Sequence, residues 1–159
     1  MENIKSSSLK NKKQVISDLK EIHQLISDSK EGYQSAGDLT DNPELKALFS
    51  RLSGERIVYA AELGDHIVEH DEEAEPENDG FLHGMHHTWL NIKQVLSKKD
   101  DKALLIAISA GERAALDKYD ECIANIADHA DHIALLTEQR DGVKTAVDEI
   151  ETLIVRENN

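Results

Sequence analysis

The chain reads as an all-α four-helix bundle with a long crossover that contains an extra helix, and three observations predict it. Apolar residues recur every three or four positions through several long segments, the period of a helix face packed on a core. Residues that break helices are scarce, with Pro only at Pro43 and Pro76. The remaining composition is dominated by Leu, Ile, Ala, Glu, Asp and Lys, with few aromatics, which is bundle composition. A chain of 159 residues suits one domain with a core large enough to need no staple.

Residues 1–12 are expected to form a flexible tail, because they are polar and carry no apolar run that would serve as a signal or anchor. Helix one is expected over 13–37, with Val15, Leu19, Ile22, Ile26, Ser29, Tyr33 and Ala36 as its seam. Ser29 is the polar member of that seam. The stretch Gly37-Asp-Leu-Thr-Asp-Asn42 ends it, and Asn42-Pro43-Glu44 starts the next with a cap, a first-position Pro and a first-turn acid. So short a connection makes the first two helices an antiparallel hairpin.

Helix two is expected over 43–72, its stripe running Leu45, Leu48, Leu52, Glu55, Tyr59, Glu62 and His66. Pro76 and Gly80 then break the pattern, and 80–97 reads as the crossover helix, with Leu82, Met85, Trp89, Ile92 and Leu96 on its apolar side. Asp100-Asp101 caps a helix over 101–124, whose stripe is Leu105, Ile108, Glu112, Ala115, Tyr119 and Cys122. The last helix is expected over 129–155, with Ile133, Leu136, Arg140, Val143, Val147, Ile150 and Ile154 facing inward. A single bundle domain thus spans 13–156.

The net charge of −14 repels phosphate backbones and anionic lipid, so nucleic acid and membrane surfaces are excluded as partners, and cations or basic proteins are favoured. One cysteine, Cys122, cannot build an internal disulfide framework and fits a reducing, cytoplasmic compartment, where it serves as a small buried hydrophobe. There is no Gly-x-Ser-x-Gly, no Cys with a neighbouring His and no Gly-rich phosphate loop, so the reading leans away from an enzyme and names no catalytic residue.

What the stripes do carry is charge. If helices two and three run parallel, Glu55 and Glu112 share a layer, with Ser29 and Arg140 reaching it from the other two helices and Glu62 and His66 lying deeper. Two accounts follow. In the first, Arg140 supplies the positive charge between Glu55 and Glu112, giving a buried ion network whose loss in Arg140→Leu would destabilise the fold strongly. In the second, Glu55, Glu62, His66 and Glu112 bind iron or manganese. A dinuclear centre in a bundle ordinarily uses Glu from two helices and Glu-x-x-His from the other two. None of the eight histidines has Glu three residues before it, and Glu62-Leu-Gly-Asp65-His66 is the nearest approach. Seven of the eight fall in groups, His66 with His70, His83 with His86 and His87, and His129 with His132 among Asp128 and Asp131. Each is read as surface or capping residues able to hold Zn or Ni weakly.

Several motifs together resemble a known family. They are Glu31-Gly-Tyr33, Asn42-Pro-Glu-Leu-Lys-Ala-Leu-Phe49, Glu55-Arg56 with Ala60-Ala-Glu-Leu63, His86-x-x-Trp89, and Gly111-Glu-Arg-Ala-Ala-Leu116. They are similar to the ferritin-like four-helix-bundle proteins of bacteria grouped as domain of unknown function 2383, from about Val15 to Ile150. The resemblance implies a ferritin-like bundle with a long crossover and no established activity. It also implies Glu31, Glu55, Glu62 and Glu112 as the positions matching metal-bearing Glu. An acid where Lys30 stands and a His where Val147 stands belong to the family pattern, and their absence counts against a metal centre. The expected function is therefore that of a structural or stress-associated bundle protein, self-associating through the apolar side of the crossover helix. The alternatives are an iron- or manganese-binding protein and an acidic adaptor for a basic protein.

Overall fold

The computed structural model describes residues 11–70, 100–126 and 130–157. These residues form four long helices, α1 (Lys12–Leu39), α2 (Pro43–His70), α3 (Asp101–Asn125) and α4 (Ala130–Glu157). Their ends fall within two residues of those expected from periodicity. The crossover helix expected over 80–97 lies outside the described residues.

Caps explain the boundaries. Asn11 starts α1 with a reciprocal pair, its Oδ1 accepting from the Gln14 backbone N–H at 2.9 Å while Gln14 Oε1 accepts from the Asn11 N–H at 3.0 Å. Gly37 does not stop the helix. It runs on to Leu39, where the N–H of Thr40, in extended backbone, returns to the Ala36 carbonyl at 3.0 Å. The Thr40 hydroxyl accepts from the Asn42 N–H at 3.2 Å and donates to Asp101 Oδ1 at 3.3 Å, so the α1–α2 turn is tied to the start of α3. Asn42 caps α2 as its sequence predicts, accepting from the N–H groups of Glu44 and Leu45 at 2.9 and 3.3 Å. Asp100 does the same for α3 through the Ala103 N–H at 3.1 Å.

Pairwise contacts fix the directions. Glu44 meets Arg156, Arg51 meets Glu149 and His70 meets Asp131, so α2 and α4 are antiparallel. Asp18 meets Lys118 while Thr40 meets Asp101, so α1 and α3 are antiparallel too. With α1 and α2 forming a hairpin, α2 and α3 therefore run parallel.

The interior is two apolar clusters. One joins Leu19, Ile22, Ile26, Leu63, Ile67, Tyr119, Cys122, Leu136 and Val143, and the other joins Tyr33, Phe49, Leu52, Leu105, Ile108 and Ile150. Charged Arg56 and Glu112, both fully buried, belong to neither cluster.

The seams predicted for α1 and α3 are buried at every position named, Ser29 and Cys122 included. That of α2 is rotated, while on α4 the expected Leu136, Val143, Val147 and Ile150 are buried. On α2 the buried positions are Leu45, Phe49, Leu52, Ser53, Arg56, Leu63 and Ile67, so Glu55, Glu62 and His66 flank the interior instead of filling it. The reason is the helix period. Leu45, Arg56 and Ile67 are eleven residues apart, as are Leu52 and Leu63, which is 3.67 residues per turn and keeps a nearly straight helix facing one way. The expected stripe advances by sevens and drifts about 20° per heptad on an ideal helix. On α4 the difference lies at one step of the seam, where Gln139 turns inward beside Leu136 and Val143 and Arg140 stays outside.

Gly142 lies against the phenol of Tyr59, and a Cβ there would stand 1.9 Å from its oxygen. Gly142→Ala should therefore lose about 1–3 kcal/mol to overpacking, partly offset by about 1 kcal/mol of helix propensity. Urea denaturation measures the difference, and a net gain in stability would mean that the Tyr59 ring moves aside at no cost.

Candidate functional site

Two polar constellations stand out, one in mid-bundle and one at an end. In the first, α2 carries Arg56 on its eleven-residue stripe and α3 carries Glu112 between Ile108 and Ala115. Arg56 Nη2 donates to Glu112 Oε2, and both side chains are wholly shielded from solvent. Removing two ions from water costs several kcal/mol each, and only close pairing with further favourable contacts repays it. Aromatic faces supply part of that, since the guanidinium carbon lies 5.8 Å from the Tyr33 ring centre and 5.3 Å from that of Tyr59. Glu55 Oε1 stands 3.8 Å from Arg56 Nη1 at the edge of the layer. Burial works against the Arg56 charge, yet Glu112 and the tyrosines outweigh it and hold its pKa above the ordinary value. Burial, followed by the Glu112 carboxylate, pushes the Tyr33 phenol well up. Tyr119 is likewise raised well above its usual range, chiefly by burial, and Tyr59 is raised for the same reason.

One turn further on, Gln139 is the hub of a second polar contact set. Its Oε1 accepts from the Tyr119 hydroxyl at 2.7 Å, and its Nε2 donates to the Tyr59 carbonyl at 3.3 Å and to Glu62 Oε1 at 3.1 Å. Side chains from α2, α3 and α4 are thereby joined.

The residues expected at the site are placed as follows. Glu112 is in the core, and Ser29 is buried, its hydroxyl donating to the Ile26 carbonyl at 2.7 Å. Glu55 is half-buried and accepts from Arg51 at 3.0 Å, Glu62 is exposed and bound to Gln139, and Glu31 faces solvent. Arg140 is not in the layer. It lies at the surface, donating through Nε to Asp120 at 2.7 Å and through Nη1 to Asp141 at 3.3 Å. The buried network of Glu55, Glu112 and Arg140 is thus corrected to a pair of Arg56 and Glu112 with Glu55 beside it. A guanidinium does take the place between the acids, but it comes from α2.

His66 has moved from the core stripe into the second constellation. Residues one turn apart on a helix share a face, and His66 and His70 do so at the end of α2. The antiparallel course of α4 brings Asp131 and His132, in its first turn, against them. His66 Nε2 makes a hydrogen bond with His132 Nδ1, and His70 Nε2 lies 3.0 Å from Asp131 Oδ2. The three imidazole centres are 4.3 to 4.6 Å apart. One ligand atom from each of the four residues lies within 4.8 Å of all the others. The interior side is formed by His132, which is 3% exposed, while Asp131 opens to solvent. Desolvation first, and the neighbouring His70 second, lower the pKa of His66. Among the described residues this is the group of His, Cys, Asp and Glu that converges so closely, and Glu31, Glu55, Glu62 and Glu112 do not.

Sequence spacing missed Arg56, Gln139 and the union of two histidine groups read separately. The eleven-residue interval through Arg56 would have found the first. Pairing the end of α2 with the start of α4 would have found the last.

A chain whose described residues pack four long helices, antiparallel and parallel, around a buried ion pair is a helical bundle protein. It belongs to the family defined by the domain of unknown function (DUF2383), which matches residues 14–125. No curated protein and no solved structure matches the chain.

Arg56→Met should cost about 3–5 kcal/mol, because it leaves the Glu112 carboxylate buried without its counter-ion, and adding Glu112→Leu should recover most of the loss. Arg140→Leu should leave the melting temperature nearly unchanged. Thermal denaturation of these variants ranks the two arginines directly. A second check uses pH. The three tyrosines of the chain all have pKa values above their ordinary range, so a stabilising contribution is complete below about pH 10 and is lost as pH rises through the folded-state values. Phenolate absorbance from the two fully buried tyrosines, Tyr33 and Tyr119, should therefore appear together with loss of helix signal, and more than one phenolate per chain forming in fully helical protein would contradict their burial.

Proposed function

We propose that this protein is a non-catalytic structural bundle of ferritin-like topology, in which an internal ion pair stands where relatives of that architecture carry metals. The observation that carries the reading is the complete burial of Arg56 against Glu112. A carboxylate-bridged metal pair needs several convergent acids and imidazoles, and a positive guanidinium among them repels a dication. In mid-bundle the available acids are Glu112, already paired, and Glu55 at its edge. Val147, the position where the resemblance implied a His, is part of the apolar cluster. This donor set does not fit a two-metal centre, so iron or manganese chemistry through Glu31, Glu55, Glu62, His66 and Glu112 is the weaker account.

The parallel course of α2 and α3 supports ferritin-like topology, which differs from a simple up-and-down bundle in this respect. No helix among the described residues is long and apolar enough to cross a membrane. Cytoplasmic residence and a stress-associated role extend the same reading, as does self-association. Light scattering on eluting protein should give a mass above 17.8 kDa, and monomer alone would remove the last of these.

The decisive test is ferrous iron added without oxygen, followed by air. Oxidation should proceed no faster than in buffer, and should be unaffected by Glu112→Ala. A rapid oxidation phase lost in that variant would replace the structural reading with a redox one.

A further inference from the structure

We propose that His66, His70, Asp131 and His132 form a binding site for a borderline divalent metal of the Zn2+ class, clamping the end of α2 to the start of α4. The site lies away from the Arg56–Glu112 layer and does not depend on the account of it.

The chemistry of the donors selects the ion. Three imidazole nitrogens and one carboxylate oxygen suit Zn2+, whereas Mg2+, Ca2+ and Mn2+ favour oxygen-rich sets. Geometry agrees. A tetrahedral Zn2+ with bonds of about 2.0–2.2 Å spaces its ligand atoms about 3.3 Å apart. The four ligand atoms are gathered within 4.8 Å. The rings meet at 46°, 75° and 64°, tilted or edge-on. Flat stacking would have turned the nitrogens away from a common centre.

Position adds to the argument. Two donors one turn apart on α2 and two neighbours on α4 are independent pairs, and nothing in the period of either helix alone would join them. Buried His132 gives the site a fixed floor, and exposed Asp131 leaves a route for the ion to enter. Glu69 is close enough to His66 to add negative potential. Because the ligands come from helices far apart in sequence, the bound ion would cross-link residues more than sixty positions apart and favour the folded state.

The test uses full-length, tag-free protein stripped with a chelator. On titration with ZnCl2, calorimetry and elemental analysis after desalting should both give one ion per chain, and the melting temperature should climb with free Zn2+. Substituting Co2+ should give the strong visible absorption of a tetrahedral ion. The variants His70→Ala and Asp131→Asn alter partly or largely exposed side chains, so they should keep the helical circular dichroism while weakening Zn2+ affinity at least about tenfold. Excess Mg2+ should not displace the ion. Failure to retain Zn2+ after desalting overturns the proposal. So does retention at undiminished affinity in both variants, which would place the metal on other histidines of the chain. Arg140→Leu, far from the site, serves as the control and should bind like the parent protein.

Discussion

The structure depends on one requirement, that the guanidinium of Arg56 meet the carboxylate of Glu112 in the middle of an apolar interior. Neither ion is tolerated there alone without loss, because an unpaired charge in such surroundings costs about 3–5 kcal/mol, a large share of what holds a domain of this size together. The pair therefore dictates how α2 and α3, which lie diagonally across the bundle, are set along their axes. Sliding either helix by one turn, about 5.4 Å, would face both ions with hydrocarbon. Apolar stripes by themselves tolerate such slips, since one Leu replaces another. The ion pair does not, and Tyr33 and Tyr59 over the guanidinium narrow the choice further.

Charge elsewhere in the molecule is handled differently. Arg113 reaches Glu151 through two nitrogens, Arg51 bridges Glu55 and Glu149, and Lys118 lies among Asp18, Glu21 and Glu121. Apart from Lys118–Asp18, whose carboxylate is buried, these pairs are in water's reach and individually contribute little, but they join neighbouring helices at their edges. In a chain with an excess of fourteen negative charges, each basic side chain placed between two acids also relieves repulsion that would otherwise push the helices apart.

How much of this was legible differs from helix to helix. On α1 and α3, every predicted core position is buried, because those seams are apolar or carry a lone polar residue whose place is unambiguous. On α2 and α4, polar residues occur next to each other, Glu55 beside Arg56 and Gln139 beside Arg140, and periods of three and four admit either member. A rotation of about 100°, one residue, decides which is inside, and packing against the other three helices makes that decision. Capping at Asn42 and Asp100 was readable because it needs only local hydrogen bonds. The meeting of His66 and His70 with Asp131 and His132 was not, since it follows from the relative direction of two helices whose contact the chain does not announce locally.

The polar layer also partitions the interior into two apolar chambers, one containing Phe49 and Ile108, the other Ile22 and Leu136. A void made in one chamber is separated from the other by charged and aromatic groups that cannot flow into it. Strain and breathing motions should thus be confined to the half where they arise, so that amide exchange divides the molecule into two protected zones with a rigid bulkhead between them.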